Sequence, residues 1–140
     1  MSLPLAPVLP ETYPQAAFRG GIKCRCPRCG EGRLFRKWLK PVDRCAACGQ
    51  DWSLQRADDF PAYVSILVTG HLLAPILIFL AARTELSVGA ILAIVLPLTA
   101  IFMLGLLQPA KGAIIAAQWW FGLNGFTRER PAPVDSAGTP

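Results

Sequence analysis

Charge is almost missing from the middle of this sequence. From residue 61 to residue 108 the only acid or base beyond one histidine is Arg83 and Glu85. That histidine is the sole one in 140 residues. No Ser/His/Asp or Cys/His arrangement, carboxylate pair or phosphate-binding loop can be assembled from what remains, so the chain is expected to be non-catalytic. The first seventeen residues hold four prolines and no apolar run. That lack excludes the apolar core of a secretory signal, and residues 1–20 are expected to form a Pro-rich, disordered leader.

What is present is oil and sulfur. The chain is 53% apolar and 16% charged, with a mean hydropathy of +0.40, against about 45–50% and about 25% for a soluble domain. Residues 61–82 and 86–107 form two uncharged stretches of equal length. As helices each would be about 33 Å long, enough to cross a hydrocarbon layer of about 30 Å. Arg83-Thr84-Glu85 joins them as a tight hairpin, which makes them antiparallel neighbours. Residues 110–123 include Trp119, Trp120 and Phe121 and are too short to cross again. They are expected to be an interfacial helix with its aromatic rings at the headgroup level. Residues 127–140 read as a disordered tail.

The formal net charge is +5, and ten of the fourteen Lys and Arg precede residue 57. The positive-inside rule then places both termini in the cytoplasm, on a multi-pass protein of the inner membrane with anionic lipid as a natural partner. Thiols on that side stay reduced.

All five cysteines lie in residues 21–52. Cys26-x2-Cys29 and Cys45-x2-Cys48, fifteen residues apart, have the spacing of a four-cysteine zinc ribbon. Gly30 and Gly49 follow the second cysteine of each pair, where the turn needs a positive φ. Residues 33–39 are expected to supply strands that cover the ion. A redox dithiol and a catalytic zinc are the alternatives, but four matched thiolates leave neither a free attacking pair nor an open coordination position. Cys24 could replace Cys26 but lacks the matching turn, so it reads as a bystander. Residues 53–60 read as a polar linker. The fold class is thus a small β zinc ribbon followed by a two-helix transmembrane hairpin and a short interfacial helix, with one structural Zn²⁺ on Cys26, Cys29, Cys45 and Cys48.

Three further residues stand out. His71, at mid-span and four residues before Pro75, is read as an interhelical hydrogen bond or a contact with another membrane subunit. A haem or copper ligand and a proton-related role are the sharper options. Asp59 reads as a helix cap before Pro61, with docking as its alternative. Lys111 reads as a snorkelling contact to headgroups, or a specific lipid or partner contact. Gly70 with Ala74, and Gly89 with Ala93, would permit close helix approach.

The run from Arg25 through Cys26, Cys29, Gly30 and Phe35, then Cys45, Cys48 and Gly49, then Asp59-Phe60-Pro61-Ala62 and Pro109-Ala110-Lys111-Gly112, resembles a bacterial family of unknown function, family 983. The resemblance covers residues 20–122 and implies a zinc ribbon on two membrane spans. It also implies an association with haem-copper cytochrome oxidase or its assembly factors. Phe60 stands where the family tends towards glycine, and Gln108 where it tends towards arginine.

The leading expectation is therefore a non-catalytic accessory or assembly protein that docks a membrane complex at the cytoplasmic face. A membrane-tethered nucleic-acid-binding ribbon is the second, resting on Arg25, Arg28, Arg33, Arg36, Lys37, Lys40 and Arg44 with Phe35 and Trp38. An oligomeric metal-delivery or transport protein is the third.

Overall fold

Proline opens two of the three helices. Its fixed φ suits the first turn, where its missing N–H is not needed. Pro14 starts α1 (Tyr13–Gly20) and Pro61 starts α2 (Phe60–Arg83). Ser87 starts α3 (Val88–Phe121), its hydroxyl accepting from the Ala90 N–H. Gly122, in the left-handed region at φ 68°, ends α3, as is common where a helix must stop without a Cβ clash. Between α1 and α2, β1 (Phe35–Lys37) and β2 (Lys40–Pro41) pair antiparallel with Phe35 opposite Pro41. A 3₁₀ turn (Leu123–Gly125) follows α3. The computed structural model describes residues 7–127; the expected disordered tail falls outside them beyond Thr127, as does the start of the expected leader.

Two expectations are corrected. Part of the leader is ordered: α1 occupies residues 13–20 and packs on α3. Its position is set by glycine. A Cβ on Gly112 would lie 2.0 Å from the Gly20 carbonyl oxygen, and one on Gly20 would lie 2.8 Å from that of Gly112. Only two bare backbones fit at that crossing. The Tyr13 hydroxyl adds a bond to the Ala113 carbonyl at 3.4 Å, and its ring meets Phe121 at 5.7 Å.

The second correction concerns the separate span and interfacial helix. α3 runs unbroken for 34 residues through Pro97 and Pro109, about 51 Å in all. A hydrocarbon layer of about 30 Å would take up about three-fifths of that length. Proline ordinarily breaks a helix by leaving one carbonyl unpaired and crowding it. At Pro109 the helix is packed on α1, whose Gly21 lies against the Pro109 carbonyl, and it continues.

α2 and α3 are joined by residues 84–87 and pack against each other. The face α2 buries is Pro61, Ser65, Thr69 and Leu73, four residues apart. Ser65 and His71 each bond back to their own helix, to the carbonyls of Pro61 (2.9 Å) and Leu67 (2.8 Å). Gly70 and Gly89 make no close approach to another helix: an added Cβ at Gly70 meets nothing within 4 Å, and at Gly89 only Ser87. Both helices are long and apolar enough to cross a membrane. In the most apolar eighteen residues of α3 none is buried, and in those of α2 only 17% are, whereas the core helix of a soluble protein would be covered.

The buried centre lies at the opposite end from the 84–87 turn. Leu34, Phe35, Trp52, Ala57, Cys26 and Cys45 share one cluster with Ala16 of α1, Ile115, Ala116 and Trp119 of α3, and Phe126. The ribbon and the end of α3 therefore have a common core. Trp119 is 1% exposed and meets Trp52 edge-on at 6.3 Å. It belongs to that core, and not to a headgroup belt.

Candidate metal centre

The two cysteine pairs sit on matching turns. Around the first, Arg25 bridges Arg33, the Cys26 N–H donates to the Gly32 carbonyl (2.7 Å), and the Gly30 N–H donates to the Cys26 carbonyl (2.8 Å). Around the second, Arg44 bridges Asp51, the Cys45 N–H donates to the Gln50 carbonyl and the Gly49 N–H to the Cys45 carbonyl, both at 2.9 Å. Gly30 and Gly49 have φ of 75° and 71°, which glycine adopts without steric cost. A two-residue gap inside such a turn leaves both sulfurs on its inner side.

The turns bring the four sulfurs together. All lie within 4.8 Å of one another, with Cys26 to Cys48 and Cys29 to Cys45 each at 3.7 Å. A tetrahedron with metal–sulfur bonds of about 2.3 Å has edges of about 3.8 Å; a disulfide would need about 2.05 Å. Gly32 leaves the room: a Cβ there would stand 2.3 Å from Cys45 Sγ. Cys26 and Cys45 are buried, Cys29 and Cys48 half-buried.

Burial pushes the Cys26 thiol well up, against a lowering by the Cys29 N–H. Burial also raises Cys48, partly offset by the Gln50 N–H and the Arg28 side chain. At Cys29 burial is outweighed by the N–H groups of Gly32 and Glu31, with help from the neighbouring thiols, and the thiol is held below its ordinary value. Backbone N–H groups aimed at sulfur favour the thiolate. Four thiolates closing a tetrahedron fit a metal ion that prefers sulfur and needs no open position. Bound there, the ion would crosslink the two turns.

Residues 35–119, more than half of the chain, match the model of a family described as protein of unknown function (DUF983). The chain belongs to this family. No curated protein and no solved structure matches it. The family match takes in the Cys45–Cys48 pair and both long helices of this DUF983 chain, and begins after the Cys26–Cys29 pair. The geometry nevertheless unites the two pairs in one site.

The other singled-out residues lie apart from it. Cys24 is outside the cluster; its thiol donates to the Gly21 carbonyl and accepts from Gln108 Nε2, both at 3.4 Å. His71 is exposed on α2 and makes no bond to α3. Asp59 takes the N-cap position of α2, but only its carbonyl accepts, from Ala62 and Tyr63. Lys111 lies on α3, lining a cavity shared with the β-hairpin. Phe35 is a core residue and Trp38 is exposed, so one of the two aromatic groups considered for base stacking is inside the fold.

Sequence reading missed Gln118. It is buried on α3 and clamps the segment before α2. Its Oε1 accepts from the Arg56 N–H at 2.9 Å, and its Nε2 donates to the Arg56 carbonyl at 2.6 Å. Residues 53–60 are thus tied down. The signal available was a polar residue placed between Ala117 and two tryptophans in an otherwise apolar helix.

Proposed function

We propose that this DUF983 chain is a non-catalytic accessory or assembly protein: a head stapled by one structural Zn²⁺, held at the cytoplasmic face by a transmembrane hairpin, that docks a membrane protein complex. The observation that carries the reading is the common core of the metal-bearing turns and the end of α3. Through it the head has a fixed orientation relative to the two apolar helices, which is what a docking surface beside a membrane complex requires. The closed four-thiolate set supports a structural ion, and the uncovered apolar faces of α2 and α3 support lipid on most sides with room for partner helices. The family resemblance points to a haem-copper oxidase or its assembly factors as the complex. Purification from native membranes in a mild detergent, through a tag on the full chain, tests this. Stoichiometric membrane partners, lost when Cys45 and Cys48 are replaced by serine, are the expected result. Repeated recovery of the chain alone would overturn it.

A further inference from the structure

A polar cavity of about 340 Å³ opens between the β-hairpin, residues 52–55 and α3. Three cations line it from three separate elements: Arg36 from β1, Lys40 from β2 and Lys111 from α3. Asp43 offsets one of them, which leaves two net positive charges on the wall. Among the described residues none of the three cations has an ion-pair partner. Cations that line one cavity without anions repel one another, and an anion bound there would relieve that repulsion.

The depth of the cavity narrows the choice. Val64 of α2 and Ala110 of α3 share a cavity wall, as do Phe60 and Ala113. Lys111 is therefore level with the first turn of α2, where the apolar run begins. Leu39, Pro41 and Val42 give the same cavity an apolar side. We propose that it is a binding site for the phosphate of an anionic lipid headgroup, with Arg36, Lys40 and Lys111 as the charged contacts. The proposal rests on the membrane reading above and sharpens it from a general attraction of basic residues to one site.

The test uses the full, zinc-loaded chain in dodecyl maltoside, after its need for detergent has been established separately, so that failure of the membrane reading is recognised first. Mixed micelles containing dioleoyl-phosphatidylglycerol or dioleoyl-phosphatidylcholine are titrated in, and binding is followed by tryptophan fluorescence. The expected result is saturable binding of phosphatidylglycerol, weakened about tenfold by Lys111→Gln and by Arg36→Gln, as loss of a charged hydrogen bond implies. Lys37→Gln removes the same charge from β1 outside the cavity and is expected to change affinity less than about twofold. One zinc per chain in every variant certifies the fold. Equal weakening by Lys37→Gln and Lys111→Gln would reduce the effect to diffuse attraction and overturn the site. Displacement of the lipid by inorganic phosphate at equal concentration would assign the cavity to a free anion and overturn the lipid assignment.

Discussion

A methyl group at Gly32 would collide with one of the four clustered sulfurs. The added carbon would stand 2.3 Å from Cys45 Sγ, whereas non-bonded heavy atoms pack at about 3.5–4.0 Å. The sulfur or the turn must then move by more than about 1 Å, several times the tolerance of about 0.2 Å on a metal–ligand distance. Cys45 Sγ is buried and cannot swing into solvent without opening the core. Changes outside the ligand set already cost about 10–100-fold in metal affinity. Gly32→Ala, which displaces a ligand, is expected to cost at least about 100-fold, or about 2.7 kcal/mol. The assay is zinc content of the detergent-purified full chain, followed by competition with a chromogenic chelator. Gly70→Ala is the parallel control, because its added Cβ meets nothing. A Gly32→Ala protein with one zinc per chain and unchanged chelator competition would show that the close approach of Gly32 to Cys45 does not govern the site.

Other outcomes follow from the same geometry. Gln118→Ala leaves the Arg56 N–H and carbonyl without their partner and is expected to cost about 1–3 kcal/mol, read as a lower Tm with zinc content preserved. Gly112→Ala forces α1 off α3 and is expected to cost about 1–3 kcal/mol by overpacking, read as faster proteolysis within residues 13–20. Cys24→Ser keeps one zinc per chain, whereas Cys26→Ser, Cys29→Ser, Cys45→Ser and Cys48→Ser each weaken binding, as metal analysis after dialysis against chelator will register. Burial holds Cys26 and Cys48 above the ordinary thiol value, so both are protonated at neutral pH without metal and release at least two protons on binding. Apparent zinc affinity then falls at least about 100-fold for each unit the pH is lowered, and calorimetry in buffers of different ionisation enthalpy counts the protons.

The four-cysteine cluster is legible in the sequence because its geometry is local. Two residues between cysteines and a glycine after each pair define each turn, and the structure brings the four sulfurs together. The two long helices were legible as well, since an uncharged run of twenty-two residues has few other uses. The junctions were not. Proline breaks most helices, so Pro109 reads as a boundary, yet α3 passes through it with α1 packed alongside. Pro14 and its neighbouring prolines suggest disorder, whereas Pro14 starts α1. Trp119 shows the limit most clearly: at the end of an apolar helix, a tryptophan at a headgroup and one entering a protein core give the same local pattern. Only the contact with Trp52, far away in sequence, and burial in the cluster shared with it tell them apart. Gly70 and Gly89 look like crossing points, but the tight crossing is at Gly20 and Gly112, one of which lay in the segment expected to be disordered.

The common core has a consequence for how the head should be studied. A segment of about thirty residues builds little core of its own, and here Ile115, Ala116, Trp119 and Phe126 complete it. A fragment ending before α2 lacks these and is expected to remain unfolded or weakly folded even with zinc, as the dispersion of its amide resonances will reveal.

Zinc-edge X-ray absorption on the full chain, purified in detergent without added metal, reads the ion and its ligands together. One zinc per chain with a single shell of four sulfurs at about 2.3 Å is the expected result. A nitrogen or oxygen ligand in that shell, or a chain folded without metal, would contradict it.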